Sequence, residues 1–432
     1  MTIPRTQRAP TRRLAGISPM TLPGPLARGW TGFAEHMLTC LPSSTLDRLK
    51  RYLSCLLPLT QMRVPVVWLR GASRTIGRPA TMLAAGTEPW VSYLAARFFA
   101  GTPQREALDR VSIWRLPRLL RTLRPAADLT VVRVDRLSAR LLFDDDYLTV
   151  PEWVGTRLLM PVDLALLAKR SNSVADDIRR TRRDWPQCDI SGPEAFDDFY
   201  RRMYLPYIRM RHGPRTHVRS ASSLRQAVRH GGILWVCDAG KRVAGGVFER
   251  NGGKLDWVAI GVADGNVEWL KKGAVAALYF HLIDYARQHG CTQIDLRGSR
   301  PSLADGLLRY KRKWGAVLYE RRDVFWSTLV HWNRLDGAVV QFLSHTPLIF
   351  RHGDALSAVA TVERQMPWTT ADLQQAHDQL WIAGLRRLCL VTGAELPATL
   401  PRPQGTWPIA LKTLSDAGPR ALLRCIDQSV AH

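Results

Sequence analysis

The chain has 432 residues, 46% of them apolar, which is room for two or three domains with real cores. Lys and Arg number 61 against 37 Asp and Glu, a formal net charge of +24 that draws phosphates, anionic headgroups, nucleic acid or acidic glycans. No run approaches the roughly 18 consecutive apolar residues of a spanning helix, so a transmembrane segment is not expected. Residues 1–35 are basic and proline-rich and read as an arm; a signal peptide is not expected, because no continuous apolar core follows Arg12-Arg13. Residues 36–59 read as a helix capped at Ser43-Ser44-Thr45. Then strand and helix signals alternate: strand at 64–71, helices at 88–101 and 112–123, strands at 129–137 and 147–154, and one helix at 163–184 ending in Arg179, Arg180, Arg182 and Arg183.

A second unit opens at about 192 with a helix broken near Pro206, then a serine-capped helix at 220–231. Three consecutive strands follow over 232–262, with Ala239-Gly240 and Asn251-Gly252-Gly253 supplying the turns of an antiparallel meander. A long helix at 268–290 and a strand at 292–298 come next. Beyond 345 the pattern is a hairpin around Gly353-Asp354, then a helix and a strand over 370–393. The expected class is therefore mixed α/β, with antiparallel-rich sheets flanked by helices. Expected boundaries are 1–60 (arm and helix), 61–185, 186–345, and a small α/β appendage at 346–432.

Seven cysteines (40, 55, 188, 237, 291, 389, 425) form no Cys-x-x-Cys pair and no spacing with histidine that suits a metal. They read as small buried hydrophobes of a reducing compartment, with no metal expected.

The most informative stretch is 295–315, "DLRGSRPSLADGLLRYKRKWG". Asp295 closes an apolar strand, Arg297 and Arg300 follow in its exit loop, and Tyr310-Lys311-Arg312-Lys313 lead to Trp314-Gly315. Such a run is either a solvated helix face or a site for something anionic. With "GCTQIDLRG" before it, it resembles the aromatic-Lys-x-x-aromatic-Gly box of the acyltransferase fold called GNAT, in its FemAB-like branch. "FYRRMYLPYIRMRHG" (199–213) is similar to the helix and Arg-rich loop that precede the meander in that branch, and "LLAKRSNSVADDIRRTRRD" to its basic linker helix.

The resemblance implies two GNAT-like halves and transfer of an acyl group to an amine or hydroxyl. The acceptor would be an anionic small-molecule or lipid-linked envelope or polysaccharide precursor, and the co-substrate acyl-CoA. The alternative is aminoacyl-tRNA as donor, as in peptidoglycan-precursor transferases; a second is an inactive scaffold that binds nucleic acid or an anionic membrane. A cytoplasmic protein is implied, in peripheral contact with the inner membrane face. By resemblance Lys311 stabilises negative charge near donor and substrate. Asp295, read from its place at the strand end, either orients Arg297 or Lys311 or is a cap or turn aspartate, and Tyr310 is either an acid or a packing group. His212 is a candidate base, and equally a favourable charge at a helix end. Arg179, Arg180, Arg209, Arg211, Arg297 and Arg300 are candidate substrate ligands. The family's Gly-rich cofactor loop is absent; Lys271, Lys272, Gly273 and Ala274 at a helix start are what remain to hold a pyrophosphate.

Overall fold

The computed structural model describes residues 63–74, 77–213, 218–321, 323–362, 368–393, 409–413 and 418–428; the expected arm and the helix at 36–59 lie outside them. In chain order, β1 (Arg63–Ala72), β2 (Pro79–Ala85), β3 (Gln104–Ser112), β4 (Leu129–Asp135), β5 (Leu148–Pro151) and β6 (Val154–Leu159) come first. They are followed by β7 (Cys188–Ser191), β8 (Gly231–Asp238), β9 (Lys241–Asn251) and β10 (Lys254–Val262). The last are β11 (Gln293–Ser299), β12 (Val317–Tyr319), β13 (Trp326–His331), β14 (Leu348–His352), β15 (Ala355–Val362), β16 (Leu385–Thr392) and β17 (Ile409–Thr413). The class is mixed α/β, as the alternation of patterns requires.

Two compact units divide the described residues. One is Ala168–Thr292; the other joins the residues up to Leu167 to those from Gln293 onward.

In the discontinuous unit, ten strands form one sheet in the order β17-β16-β15-β14-β5-β13-β4-β2-β1-β3. The β2/β4, β15/β16 and β16/β17 pairs are parallel and the other neighbours antiparallel. Both faces of its middle are buried, which is why these strands are apolar at nearly every position. Leu69 of β1 and Leu129 and Val131 of β4 join a core with the helices Glu88–Phe98 and Gly337–His345. Val64, Val66 and Trp68 of β1, with Val132 and Val134 of β4, face the other way, toward the helices Leu116–Leu123 and Arg136–Leu142. The same unit holds a second, three-stranded antiparallel ladder in which β6 is flanked by β11 and β12.

In the continuous unit, β7, β8, β9 and β10 pair antiparallel in sequence order. Ala239, Gly240 and Gly252 take positive φ in its two turns, as the expected meander demands. Phe196, Phe199, Met203, Leu224, Val228, Trp235 and Val247 form its core. The helix Ala274–Gln288 is buried along Ala274, Ala277, Leu278, His281 and Ile283, while Leu270 and Phe280 are half-buried.

Six expectations need correction. Residues 147–154 are two strands: the chain turns at Glu152-Trp153, β5 joining the large sheet and β6 the small ladder. Residues 129–137 end as a strand at Asp135, whose carboxylate accepts from the N–H groups of Leu137 and Ser138 and starts a helix instead. The helix at 163–184 is two, separated at Ser171, which caps the second. The helix at 268–290 is likewise two, because Gly273 adopts a left-handed φ of 97° between Lys272 and Ala274. Near Pro206 the helix continues: a π-helical turn at Phe199–Tyr204 precedes it, and Pro206 sits in the first turn of the next α segment, where its missing N–H costs nothing. Finally, the strands between 348 and 413 extend the ten-stranded sheet and form no sheet of their own.

Candidate functional site

The end of β11, within the stretch 295–315, folds into a bulge. β11 pairs with β6 with Ile294 opposite Leu158 and Asp295 opposite Arg157, and the register then slips so that Gly298 faces Gly155. Two residues, Leu296 and Arg297, are pushed out of the ladder. Arg297 takes a φ of +63°, an uncommon conformation for a residue with a side chain.

Three side chains hold it there. Asp295 Oδ1 accepts from the Arg297 N–H at 2.6 Å, an Asx-type turn. Thr156 Oγ1 donates to the Arg297 carbonyl at 2.9 Å. Lys311 Nζ donates to the carbonyls of Arg297 (3.3 Å) and Gly298 (3.0 Å) and to Ser299 Oγ (3.0 Å). The ammonium has three protons and all three have acceptors.

Lys311 reaches this place on the helix Gly306–Lys313, which Asp305 caps through the Leu308 N–H at 2.9 Å. Trp314, fully buried, anchors the turn that follows. Lys311 is only 3% exposed, and burial pushes its pKa down to about 7, against the pull of Asp295 and Asp305 and with the push of Arg321. The expectation that Lys311 would present its charge to a substrate phosphate is therefore corrected: its ammonium faces the inside of the bulge and is already shared among backbone and Ser299.

Asp295 spends its second oxygen on Tyr319. The Tyr319 hydroxyl donates to Asp295 Oδ2, and burial, with the carboxylate beside it, raises the phenol well above its usual range, so it keeps its proton. Gly155 makes this possible. It lies on β6 between Gly298 and Tyr319, and a Cβ there would sit 2.3 Å from the Tyr319 ring. The Arg157 guanidinium lies 5.4 Å from the same ring, and among the described residues its buried Nε has no hydrogen-bond partner.

Arg300, just past the bulge, is clamped by two rings: its guanidinium lies 4.5 Å from the centre of Tyr93 and 4.3 Å from that of Trp153. Among the described residues no hydrogen bond or ion pair engages it. Its planar edge of N–H donors is fixed in direction and unspent, the arrangement that suits a phosphate or carboxylate. Arg321, held by Asp323, adds positive charge within reach of Asp295.

Of the residues singled out in the sequence, Asp295, Arg297, Arg300 and Lys311 come together here. Tyr310 is half-buried on the same helix with the Lys313 ammonium 4.5 Å over its ring, a packing role. The others lie in the continuous unit. Arg179 pairs with Asp176 at 2.9 Å and is exposed; Arg180 lies 3.7 Å from Asp177 and reaches the Lys271 carbonyl at 3.4 Å. Lys271 pairs with Glu268 and Lys272 lies over Trp269, while Ala274 is buried and Gly273 is a hinge between helices. Arg209, Arg211 and His212 are exposed in the last turn of the helix Leu205–His212. Tyr319, Gly155, Thr156, Arg157, Ser299, Tyr93 and Trp153 were not singled out. Only Gly155 stood out locally, as a lone glycine directly after the apolar strand pattern of 147–154, where a missing side chain can mark close approach of another group. Among the described residues no His, Cys, Asp and Glu cluster could hold a metal, and no helix is long and apolar enough to cross a membrane.

No family profile matches the chain, and no curated protein matches it. Solved structures do. FemX is similar at 12% identity over 60% of this chain and 88% of its own, with a TM-score of 0.34. The L-PGS of Bacillus licheniformis is similar at 13% identity over 58% and 77%, with a TM-score of 0.31. A GCN5-related N-acetyltransferase from Kribbella flavida follows at 10% identity over 69% and 64%, with a TM-score of 0.24. All three identities are at or below 13% and all three TM-scores at or below 0.34, so these likenesses carry no argument here, and the chemistry of this chain rests on its own residues.

Proposed function

We propose that the chain is an acyltransferase working at the β11 bulge, moving an acyl group from acyl-CoA to an amine or hydroxyl of an anionic envelope or polysaccharide precursor. The observation that carries this reading is the Arg300 guanidinium, clamped by Tyr93 and Trp153 with its donors unspent, directly beside the bulge. It supports recognition of a phosphate-bearing acceptor, and the net charge of +24 supports the same class of substrate.

In this reading the acceptor heteroatom attacks the thioester carbonyl, a C–N or C–O bond forms, the C–S bond breaks, and the thiolate takes a proton. Asp295 is the group that receives the acceptor's proton. Tyr319, whose phenol stays protonated, holds that carboxylate in place. Arg297 and Arg300 hold the acceptor's anionic group, and Lys311 keeps the bulge in the shape that aims them.

The test incubates the full chain with labelled acetyl-CoA and a nucleoside-diphosphate amino sugar as probe acceptor. Label should move to the sugar, and Arg300→Ala should raise KM for this acceptor about tenfold or more, the worth of one charge-assisted contact, with no such rise for an uncharged amine. A parallel arm supplies aminoacyl-tRNA. Transfer there that RNase abolishes would replace the donor, and no transfer from either donor, with nucleic-acid binding that falls steeply with salt, would leave a binding scaffold.

A further inference from the structure

Away from the bulge, on the discontinuous unit, three large apolar side chains are exposed on one of two helices that meet at one cavity and in the turn before the other. Trp114 is 71% exposed, Leu141 66% and Leu137 46%. Leu137 and Leu141 are one turn apart on the helix Arg136–Leu142. Leu141 lines a cavity of about 260 Å³ with Pro117 and Arg121 of the helix Leu116–Leu123, and Trp114 sits in the turn leading into that helix. The two helices thus present one surface. They are docked through Leu116, Leu120 and Ala139, which are buried in a shared core, so the exposed side chains are not needed for docking.

Four arginines share the surface. Arg115, Arg118, Arg121 and Arg140 are exposed, and among the described residues none of their side chains makes an ion pair or hydrogen bond. Two carboxylates stand nearby: Asp144, in the wall of the cavity, and the exposed Asp145. Asp146 is already taken by Arg124 at 2.7 Å. The local balance is positive.

We infer that this face docks on an anionic lipid bilayer. Indole at the headgroup level, leucine just below it and guanidinium on lipid phosphate is the division of labour of an interfacial amphipathic surface. The leucines decide against RNA, whose unpaired bases stack on aromatic faces and gain nothing from Leu137 or Leu141.

The experiment floats the full chain with vesicles of phosphatidylcholine alone or mixed with phosphatidylglycerol. Binding should appear only with phosphatidylglycerol. The triple variant Arg115→Glu/Arg118→Glu/Arg121→Glu should lose about a hundredfold in partitioning or more, and Trp114→Ser/Leu141→Ser about tenfold. All five positions are exposed, so the melting temperature should hold in each variant. Arg229→Glu/Arg250→Glu, on exposed arginines elsewhere, serves as the charge control and should bind as the parent does. The inference is overturned if the parent ignores phosphatidylglycerol vesicles, if the control loses as much as the triple variant, if the Trp114/Leu141 variant binds undiminished, or if the variants instead abolish binding of RNA. No turnover enters this measurement, so its outcome is separate from that of the catalytic assay.

Discussion

Lys311 makes three hydrogen bonds inside the bulge and is 3% exposed, which ties its protonation to folding. Its folded pKa of about 7 lies below the 10.5 of a free lysine, so between those values the unfolded chain binds a proton that the folded chain does not. Stability from this group therefore rises with pH from about 7 to 10, by at most about 1.4 kcal/mol per unit. Lys311→Met removes the titration. The difference in urea midpoint between parent and Lys311→Met should climb across that window; a flat difference would mean that the ammonium is not desolvated. Arg300 asks for a different probe, since its worth lies in shape. Arg300→Lys keeps the charge but loses the planar stack on Tyr93 and Trp153 and the paired N–H edge. KM for the phosphate-bearing acceptor should rise about tenfold with kcat nearly kept; an unchanged KM would show that any positive charge serves there.

At the scale of elements, β6 decides whether the site assembles, because Gly155 lets Tyr319 of β12 lie flat across it and reach Asp295 of β11. Gly155→Ala should cost about 1–3 kcal/mol by overpacking and should displace the Tyr319–Asp295 bond. In a Tyr319→Ala background the same change should cost little, and equal costs in both backgrounds would show that the two residues do not compete for space. This ladder was also the least legible part of the sequence. The apolar run from Tyr147 to Val154 looks like one strand, since nothing in the pattern says that its two ends serve different sheets. β3 reads "QREALDRVS" and, as an edge strand with little to bury, gives almost no periodic signal. The meander over β8, β9 and β10 was legible because glycine-bearing turns punctuate it. Asp295 and Lys311 were legible as a pair because they share one short stretch. Their partners Tyr319, Thr156 and Arg157 were not, because only the strand register brings them near.

For the molecule as a whole, the segment after 345 tests the architecture most directly. As a separate appendage it would be removable. In the structure β14 pairs with β5 and carries β15, β16 and β17 as one end of the ten-stranded sheet. Phe350 and Val359, with Cys389 and Val391, pack against Leu335, Val339, Phe342 and Leu343 in one core, and Ile349, Leu388 and Leu390 fill another. All of these are almost completely buried. Each large side chain so placed contributes about 1.5–3 kcal/mol, and losing even a handful exceeds the roughly 5–15 kcal/mol by which a domain is stable. Truncation would also open the edge of β5, a template for aggregation. A chain ending at His345 should accumulate as insoluble material, or, if recovered, show no cooperative melting of the large sheet by circular dichroism. Cooperative melting of 1–345 at the parent temperature would restore 346–432 to the status of an appendage. Truncation after Gly393 is the graded control: among the described elements it removes β17 and the helix Pro419–Gln428, and it should lower the melting temperature while leaving one cooperative transition.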